Sequence, residues 1–325
     1  MTINWGILGA GRIARKFATD FKIVPNGKLL AVASRSQNRS TEFAEEFNIP
    51  EAYSSYEEMV KNPEINVVYV ATTHNFHFEH VQLCLHNGKS VLCEKPVSVN
   101  SAELAILQKL AEEKNLFFME ALWTYYLPTI QQASKWIKEG RIGEVKQLQV
   151  SFGFHGDMNK NRRLANPDLA GGALLDIGIY GIAMSELVFN EEIDSIHALA
   201  HFSETGIDDD NNLQIRYKNG GMAQISSSLT CKLKNEAVIY GTKGRIEIPN
   251  FWMAKKACLL TKEEEIEFLD KTPQLGYNYE AFAVNELLLK NATESPVIPI
   301  EKSKKILSIM DEVRKQIGLK YPFEK

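Results

Sequence analysis

Trp5-Gly6-Ile7-Leu8-Gly9-Ala10-Gly11-Arg12-Ile13-Ala14 is the stretch on which the fold turns. Trp5 to Leu8 is apolar enough for a buried strand, and Ile13, Phe17 and Phe21 then recur at helical spacing. Between them lies a G-x-G-x-x-A turn. Gly9 and Gly11 let the backbone approach a pyrophosphate, the helix start at Arg12 and Ile13 offers unsatisfied N–H groups to it, and Ala14 permits close helix-to-strand packing. Alone, such a motif can be no more than a tight turn; its weight comes from the pattern of the next hundred residues. Apolar runs at Leu29 to Ala33, Val67 to Ala71, Ser90 to Cys93 and Leu116 to Met119 alternate with helical stripes through Phe43 and Phe47 and through Leu104, Leu107 and Leu110. Asn100-Ser101 before Glu103 reads as a helix cap, and Gly88 as a helix end. Strand–helix alternation of this kind predicts an α/β fold that begins with a Rossmann dinucleotide-binding domain over residues 1–122.

The whole chain has 325 residues, and at ~150 residues per domain about two domains are expected, the second over 123–325. Hydrophobic residues at 44% and charged residues at 24% fit a globular protein rather than a disordered or membrane one. A formal net charge of -4 with scattered lysines and arginines argues against a nucleic-acid partner. No stretch approaches the ~20 apolar residues of a membrane span, and Met1 to Trp5 lacks the marks of an export signal, so no membrane partner and a cytoplasmic location are expected. Cys84, Cys93, Cys231 and Cys258 form no CxxC pair and read as reduced core residues.

The second β-unit sets the cofactor preference. An NAD-specific site would place Asp or Glu about 20 residues beyond the glycine turn, on the ribose 2′-hydroxyl. This chain has Ser34-Arg35-Ser36 with Arg39 one turn on, which suits a 2′-phosphate, unless both arginines are simply solvated. NADP is the expected cofactor, with NAD possible. Cys93-Glu94-Lys95-Pro96 follows a strand and so falls at the carboxyl edge of the sheet, where Lys95 could hold a ribose and a substrate hydroxyl.

Beyond Trp123 the texture changes. Pro128 opens a helix ending near Gly140, and a glycine-rich helix follows Gly171-Gly172. Longer β-like segments then run through Ser195 to Phe202, Leu213 to Tyr217, Met222 to Leu229 and Ala237 to Tyr240, with glycine turns at Asn219-Gly220-Gly221 and Gly241 to Gly244. An α+β domain with a large, mostly antiparallel open sheet is expected, closed by helices at Ala281 to Leu289 and Lys304 to Ile317. Asp176 and Tyr180 stand four apart, on one face of the glycine-rich helix. A carboxylate beside a phenol and near a lysine forms an acid–base set, since a neighbouring ammonium favours phenolate; equally, Tyr180 could be core and Asp176 a cap.

Glu94-Lys95-Pro96 and the D-x-x-x-Y helix together resemble the glucose-fructose oxidoreductase/inositol dehydrogenase/MocA superfamily over nearly the whole chain, most of all its dihydrodiol dehydrogenase branch. Also specific are Thr72 to His77, Val91 to Pro96, Met119 to Trp123, Gly171 to Tyr180, Thr205 to Asp209 and Glu294 to Pro299. The resemblance implies hydride transfer between NADP and a sugar such as D-xylose or a trans-dihydrodiol. In it Lys95 and Tyr180 flank the nicotinamide, Tyr180 is the general acid/base and Asp176 orients substrate. It implies too that Thr72, His74, His77 and Glu94 lie against the cofactor, and that a homodimer forms through the second domain's sheet. Asn75-Phe76 and the loop Phe154 to Arg163 depart from the branch, and the loop is expected to touch substrate.

Other residues leave two readings. Trp123 is a wall for a sugar or ring, or interdomain core; Arg163 binds substrate, or forms a surface salt bridge. His74 and His77 have no third ligand at metal spacing, and Asp208-Asp209-Asp210 reads as a solvated loop before a strand, so no metal is expected. Two other activities are compatible with the same scaffold: a glycosidase that oxidises its sugar transiently, and a silent NAD(P) sensor. Retention of Lys95, Asp176 and Tyr180 argues against the sensor.

Overall fold

The computed structural model describes residues 2–159 and 162–324. It places Ile3–Leu8 (β1) inside a six-stranded parallel sheet. There follow α1 (Arg12–Phe21), β2 (Gly27–Ala33), α2 (Gln37–Phe47), β3 (Glu51–Tyr53), α3 (Tyr56–Val60), β4 (Val67–Val70), α4 (His77–His86), β5 (Ser90–Glu94), α5 (Ser101–Lys114) and β6 (Phe118–Ala121). Strand order is β3-β2-β1-β4-β5-β6, so the chain reverses direction across the sheet between β1 and β4, directly beyond the glycine turn. Crevices for ligands form at such a reversal. Helices on both faces leave these strands no polar side, and Trp5, Ile7, Leu8 and every residue of β4 are buried.

Two differences from the sequence reading are local. The three residues of β3 were not expected, being half-buried and too short to show a period. The last strand sits at Phe118–Ala121 rather than Leu116 to Met119, because Asn115 ends α5 in the left-handed conformation and the chain needs two more residues to reach the sheet.

A third difference concerns domains. The chain divides into two compact units, Met1–Trp123 with Pro273–Lys304, and Thr124–Thr272 with Lys305–Lys325, in place of a single cut at 122/123. The helix α8 (Tyr277–Leu289), expected in the second domain, belongs to the first unit. The buried Asp20 carboxylate of α1 explains why: it accepts N–H bonds from Leu275 (3.2 Å), Gly276 (2.7 Å) and Tyr277 (3.0 Å), capping that helix with a charge its dipole favours. Further along, Asn285 accepts from the Trp5 indole at 2.8 Å and donates to the Pro25 carbonyl at 3.0 Å.

The second unit is built on an eight-stranded sheet. Its elements are α6 (Pro128–Lys138), β7 (Val145–Gly153), α7 (Ile179–Phe189), β8 (Ile193–Phe202), β9 (Asp208–Tyr217), β10 (Met222–Ser228), β11 (Glu236–Gly241), β12 (Gly244–Pro249), β13 (Lys256–Thr261) and β14 (Glu265–Leu269). After α8, α9 (Ile300–Ile317) closes the order, and the division between units falls within it. Strands run β14-β13-β12-β11-β7-β10-β9-β8, antiparallel except for β7 with β10. Leu213, Ile215 and Tyr217 of β9 are buried while Gln214 and Arg216 face outward, the alternation of a sheet with one covered side. The cover is α7, packed on β7, β10 and β11. Contrary to the expectation that no such stretch exists, Pro167–Phe189 has the length and mean hydropathy (1.5) of a membrane span; 89% of its apolar window is buried in the protein, as a core helix should be. The cysteines also differ from expectation: Cys84 and Cys93 are core, Cys258 is half-buried and Cys231 is exposed.

Candidate active site

In the first unit the two glycines of the opening motif do different work. Gly9 has φ +108°, and a Cβ there would lie 2.8 Å from the Ala71 carbonyl oxygen, so the protein itself demands glycine. Gly11 has an extended backbone that any residue could adopt, and a Cβ would meet nothing within 4 Å among the described residues. It is also the residue that precedes α1, and it supplies no side chain to cap the helix N–H groups. Bare N–H groups and a space kept clear are what a pyrophosphate needs, so these residues fit the dinucleotide. Arg12 is exposed beside them and Ile13 half-buried.

At the end of β2, Ser34 is buried and its Oγ accepts from the Ser36 amide at 3.4 Å. Arg35 is exposed, with its guanidinium 5.4 Å from the centre of the Phe76 ring; Arg39 is exposed on α2. Stacking on a ring holds a guanidinium in place while its edge stays available. Neighbouring His80 shares a hydrogen bond with Thr72 Oγ1 (2.9 Å), and burial, then the charges of His77 and Arg35, push its pKa down to about 4.

The loops after β4 and β5 are tied together by His77. Its ring is fully buried, with Nδ1 2.7 Å from the Pro96 carbonyl and Nε2 3.1 Å from the Thr72 carbonyl. His77 is therefore a brace for the Lys95-Pro96 loop rather than a residue lining a cleft, and buried His74 packs on it with ring centres 5.8 Å apart. Glu94 likewise turns inward: one carboxylate oxygen accepts from the Tyr69 hydroxyl and the other from the Lys95 amide at 3.2 Å. Lys95 is half-buried at the strand's end.

Sequence reasoning named Glu94 but missed two further acids behind this edge, Glu120 and Glu280. Burial raises the pKa of Glu94, Glu120 and Glu280 alike. Glu120 accepts from the Val97 amide at 3.0 Å; neither carboxyl oxygen of Glu280, on α8, has a partner among the described residues. Trp123 belongs to this unit, stacked on Tyr277 with centres 4.3 Å apart and planes 7° from parallel.

In the second unit the glycine pair decides the geometry. A Cβ on Gly171 would fall 2.5–2.9 Å from the carbonyl oxygens of Leu164, Arg163 and Asn166, and one on Gly172 would fall 2.2 Å from Asp208 Oδ1. The first close approach brings in Arg163, whose Nη2 donates to Asp176 Oδ1 at 2.7 Å. Asp176 lies in a π-turn, Leu174–Gly178, that leads into α7, whereas a regular α-helix was expected there. Wide turns of this kind are frequent where helices carry function. Tyr180 is buried at the start of α7, with its ring 6.0 Å from Phe152, which stacks on Trp252 at 3.7 Å. Neither Phe152 nor Trp252 was singled out: an aromatic in a strand, as Phe152 is in β7, is ordinary core, and Trp252 sits in a short turn, Phe251–Met253, with no pattern of its own. Residues 160 and 161 of the loop expected to touch substrate lie outside the described residues.

The aspartate run is not a solvated loop. Asp208 opens β9 with no exposed surface, its Oδ2 accepting from the Leu174 amide (2.7 Å) and from Asn211 Nδ2 (3.0 Å). Burial pushes its carboxyl up to about 7. Asp209 is buried and pairs with His201 Nδ1 at 2.6 Å.

Comparisons with known proteins agree with this architecture. The profile of an oxidoreductase family with an NAD-binding Rossmann fold matches residues 3–122, and the GFO/IDH/MocA C-terminal domain matches residues 130–247. Trans-1,2-dihydrobenzene-1,2-diol dehydrogenase of Mus musculus is 38% identical over the full length of both chains. Among solved structures, a 3-ketoreductase from Actinomadura kijaniata in complex with NADP and TDP-benzene superposes with a TM-score of 0.87 at 24% identity, covering 98% of both chains. An aldose-aldose oxidoreductase from Caulobacter crescentus complexed with glycerol gives 0.89 at 21% identity and the same coverage, and at such identities these two establish the fold. A cleared glycine turn on a reversing parallel sheet, an open sheet behind it in sequence, and full-length identity of this order have one reading: the chain belongs to the GFO/IDH/MocA family of NAD(P)-dependent oxidoreductases.

Proposed function

We propose that the protein oxidises a hydroxyl of a sugar or trans-dihydrodiol, or reduces the corresponding carbonyl, with NADP preferred over NAD. The observation that carries this is the head of α7, where Asp176 is fixed by Arg163 and Tyr180 lies beside the Phe152–Trp252 stack. A flat aromatic wall suits the apolar face of a sugar ring or cyclic diol, and Asp176 can accept from its hydroxyls. Tyr180 takes the hydroxyl proton as the C–O bond becomes a carbonyl, and returns it in the reverse direction. The Lys95 ammonium favours the alkoxide. NADP, when bound, supplies the acceptor or donor of the hydride. Ser34, Arg35 and Arg39 recognise its 2′-phosphate, and the mouse relative's name accounts for the dihydrodiol.

The test monitors reduced-nicotinamide absorbance on mixing purified protein with NADP or NAD and a panel of aldoses and vicinal diols. Turnover is expected with NADP, and Arg35→Ala should weaken NADP about 10–100-fold while leaving NAD unchanged, as loss of a charge-assisted pair predicts. Glycoside cleavage without net cofactor reduction would replace this reading by the glycosidase.

We also propose a homodimer through the outward face of the eight-stranded sheet, where Leu199 and Met222 are exposed, and a cytoplasmic location, which the four free thiols suit. Sedimentation should give twice 36.7 kDa, falling to the single-chain mass in Leu199→Glu. An unchanged mass in that variant would move the interface elsewhere.

A further inference from the structure

We propose that Asp208 positions Asp176 and Tyr180 by clamping the start of the helix that carries both. The inference rests on the proposed roles of Tyr180 and Asp176, and adds a residue that touches neither reactant.

The clamp has three parts. Asp208 Oδ2 receives the Leu174 amide at 2.7 Å, the first N–H of the π-turn, and shares that oxygen with Asn211 Nδ2 at 3.0 Å. Gly172, at φ +117°, brings the chain so close that a Cβ would overlap Asp208 Oδ1. On the other flank, the buried Tyr321 hydroxyl donates to the Gly171 carbonyl at 2.8 Å. The segment Gly171 to Leu174 is thereby fixed by β9 and by the C-terminal segment, two and six residues short of Asp176 and Tyr180 when counted from Leu174.

The clamp is also sensitive to pH. Asp208 Oδ1 has no partner among the described residues, so a proton on that oxygen displaces no bond, whereas ionisation strengthens both bonds to Oδ2. The surrounding groups are Asp209, paired with His201, on the same run; Asn211; the Leu174 amide; and Tyr321, which itself feels Arg314, Glu324 and Asp176. Burial outweighs the hydrogen bonds from Leu174 and Asn211 that favour the charged form, and the carboxyl is pushed up to about 7. The clamp tightens as pH rises through neutrality.

Asp208→Asn keeps the shape and one acceptor while removing the titration. Expected are a kcat lower by about tenfold, as small misplacements of acid–base groups give, loss of the neutral inflexion from the kcat–pH profile, and an unchanged NADP affinity. Amide hydrogen exchange at Leu174 and Leu175 should quicken while that at Ala183 to Val188 does not. Asp209→Asn, on the same strand, should leave exchange at Leu174 and Leu175 as in the wild type and keep the inflexion, moved to lower pH by the loss of a like charge beside Asp208. Should Asp208→Asn fold poorly, Asn211→Ala removes one donor to the carboxylate and should move the inflexion to higher pH.

Linkage gives a second check. The folded carboxyl keeps its proton up to about pH 7, whereas an unfolded aspartate releases it near ~4. The wild type should therefore lose stability relative to Asp208→Asn as pH rises from ~4 to ~7, with no further change above. Wild-type exchange at Leu174 and Leu175 in Asp208→Asn overturns the clamp, whatever the turnover. An unaltered kcat–pH profile overturns its bearing on Asp176 and Tyr180. If instead Tyr180→Phe proves fully active, the acid/base reading falls and the exchange result still decides the clamp.

Discussion

Tyr180→Phe is expected to lower kcat by about two to four orders of magnitude, the usual share of a positioned acid or base. The substitution leaves the ring, so its packing near Phe152 and Trp252 persists and the melting temperature should hold within a few degrees. Only the hydroxyl that exchanges a proton with the substrate is lost. NADP affinity, read by quenching of protein fluorescence, should be that of the wild type, because the glycine turn and Arg35 belong to a different part of the chain. A variant that turns over at the wild-type rate would transfer the proton chemistry to another group. A variant that loses NADP as well would make Tyr180 a binding residue.

Gly11→Val should raise the NADP dissociation constant about 100-fold or more while leaving the fold intact. The backbone at Gly11 is extended, a conformation valine prefers, and a Cβ meets no atom of the described residues within 4 Å. Its isopropyl group instead fills the space before the first N–H groups of α1, and loss of about 3 kcal/mol of contacts to a pyrophosphate corresponds to that factor. Gly9→Ala makes the contrast. There φ is +108° and the added carbon presses on the Ala71 carbonyl, so stability should fall by at least about 1–3 kcal/mol. Chemical denaturation and cofactor titration on the pair separate the two glycines. Wild-type affinity in Gly11→Val would take the cofactor off this turn.

What was legible in the sequence was whatever repeats within a few residues. Strands β1, β2, β4 and β5 announce themselves as short apolar runs because a parallel sheet covered on both faces tolerates nothing else. The glycine turn was legible because its chemistry is local. Pairings over long separations left no mark: Asp20 capping Gly276 and Tyr277, or Trp5 donating to Asn285, join residues more than 250 positions apart. Tyr277, Ala281 and Val284 do show a helical stripe, and Glu280 and Asn285 fall beside it, but nothing in that pattern says which sheet the helix meets. Three adjacent aspartates look like surface, and only the tertiary structure reveals that Asp208 and Asp209 are buried. The π-turn at Asp176 is invisible for a different reason. One extra residue in a helical turn disturbs no hydrophobic period when every neighbour is apolar.

The first compact unit is written in two pieces of chain, and this bears on how the protein can be made. Residues Met1–Trp123 leave the ribosome about 150 residues ahead of Pro273–Lys304. At ~5–20 residues per second, translation supplies the second piece roughly 8–30 s later. Through that interval the Asp20 carboxylate and the Trp5 indole N–H wait for partners not yet synthesised. An expression fragment cut after residue 123 would keep them waiting indefinitely. A nucleotide-binding fragment of this protein should therefore be designed as residues 1–123 joined by a short linker to 273–304, not as the N-terminal third alone.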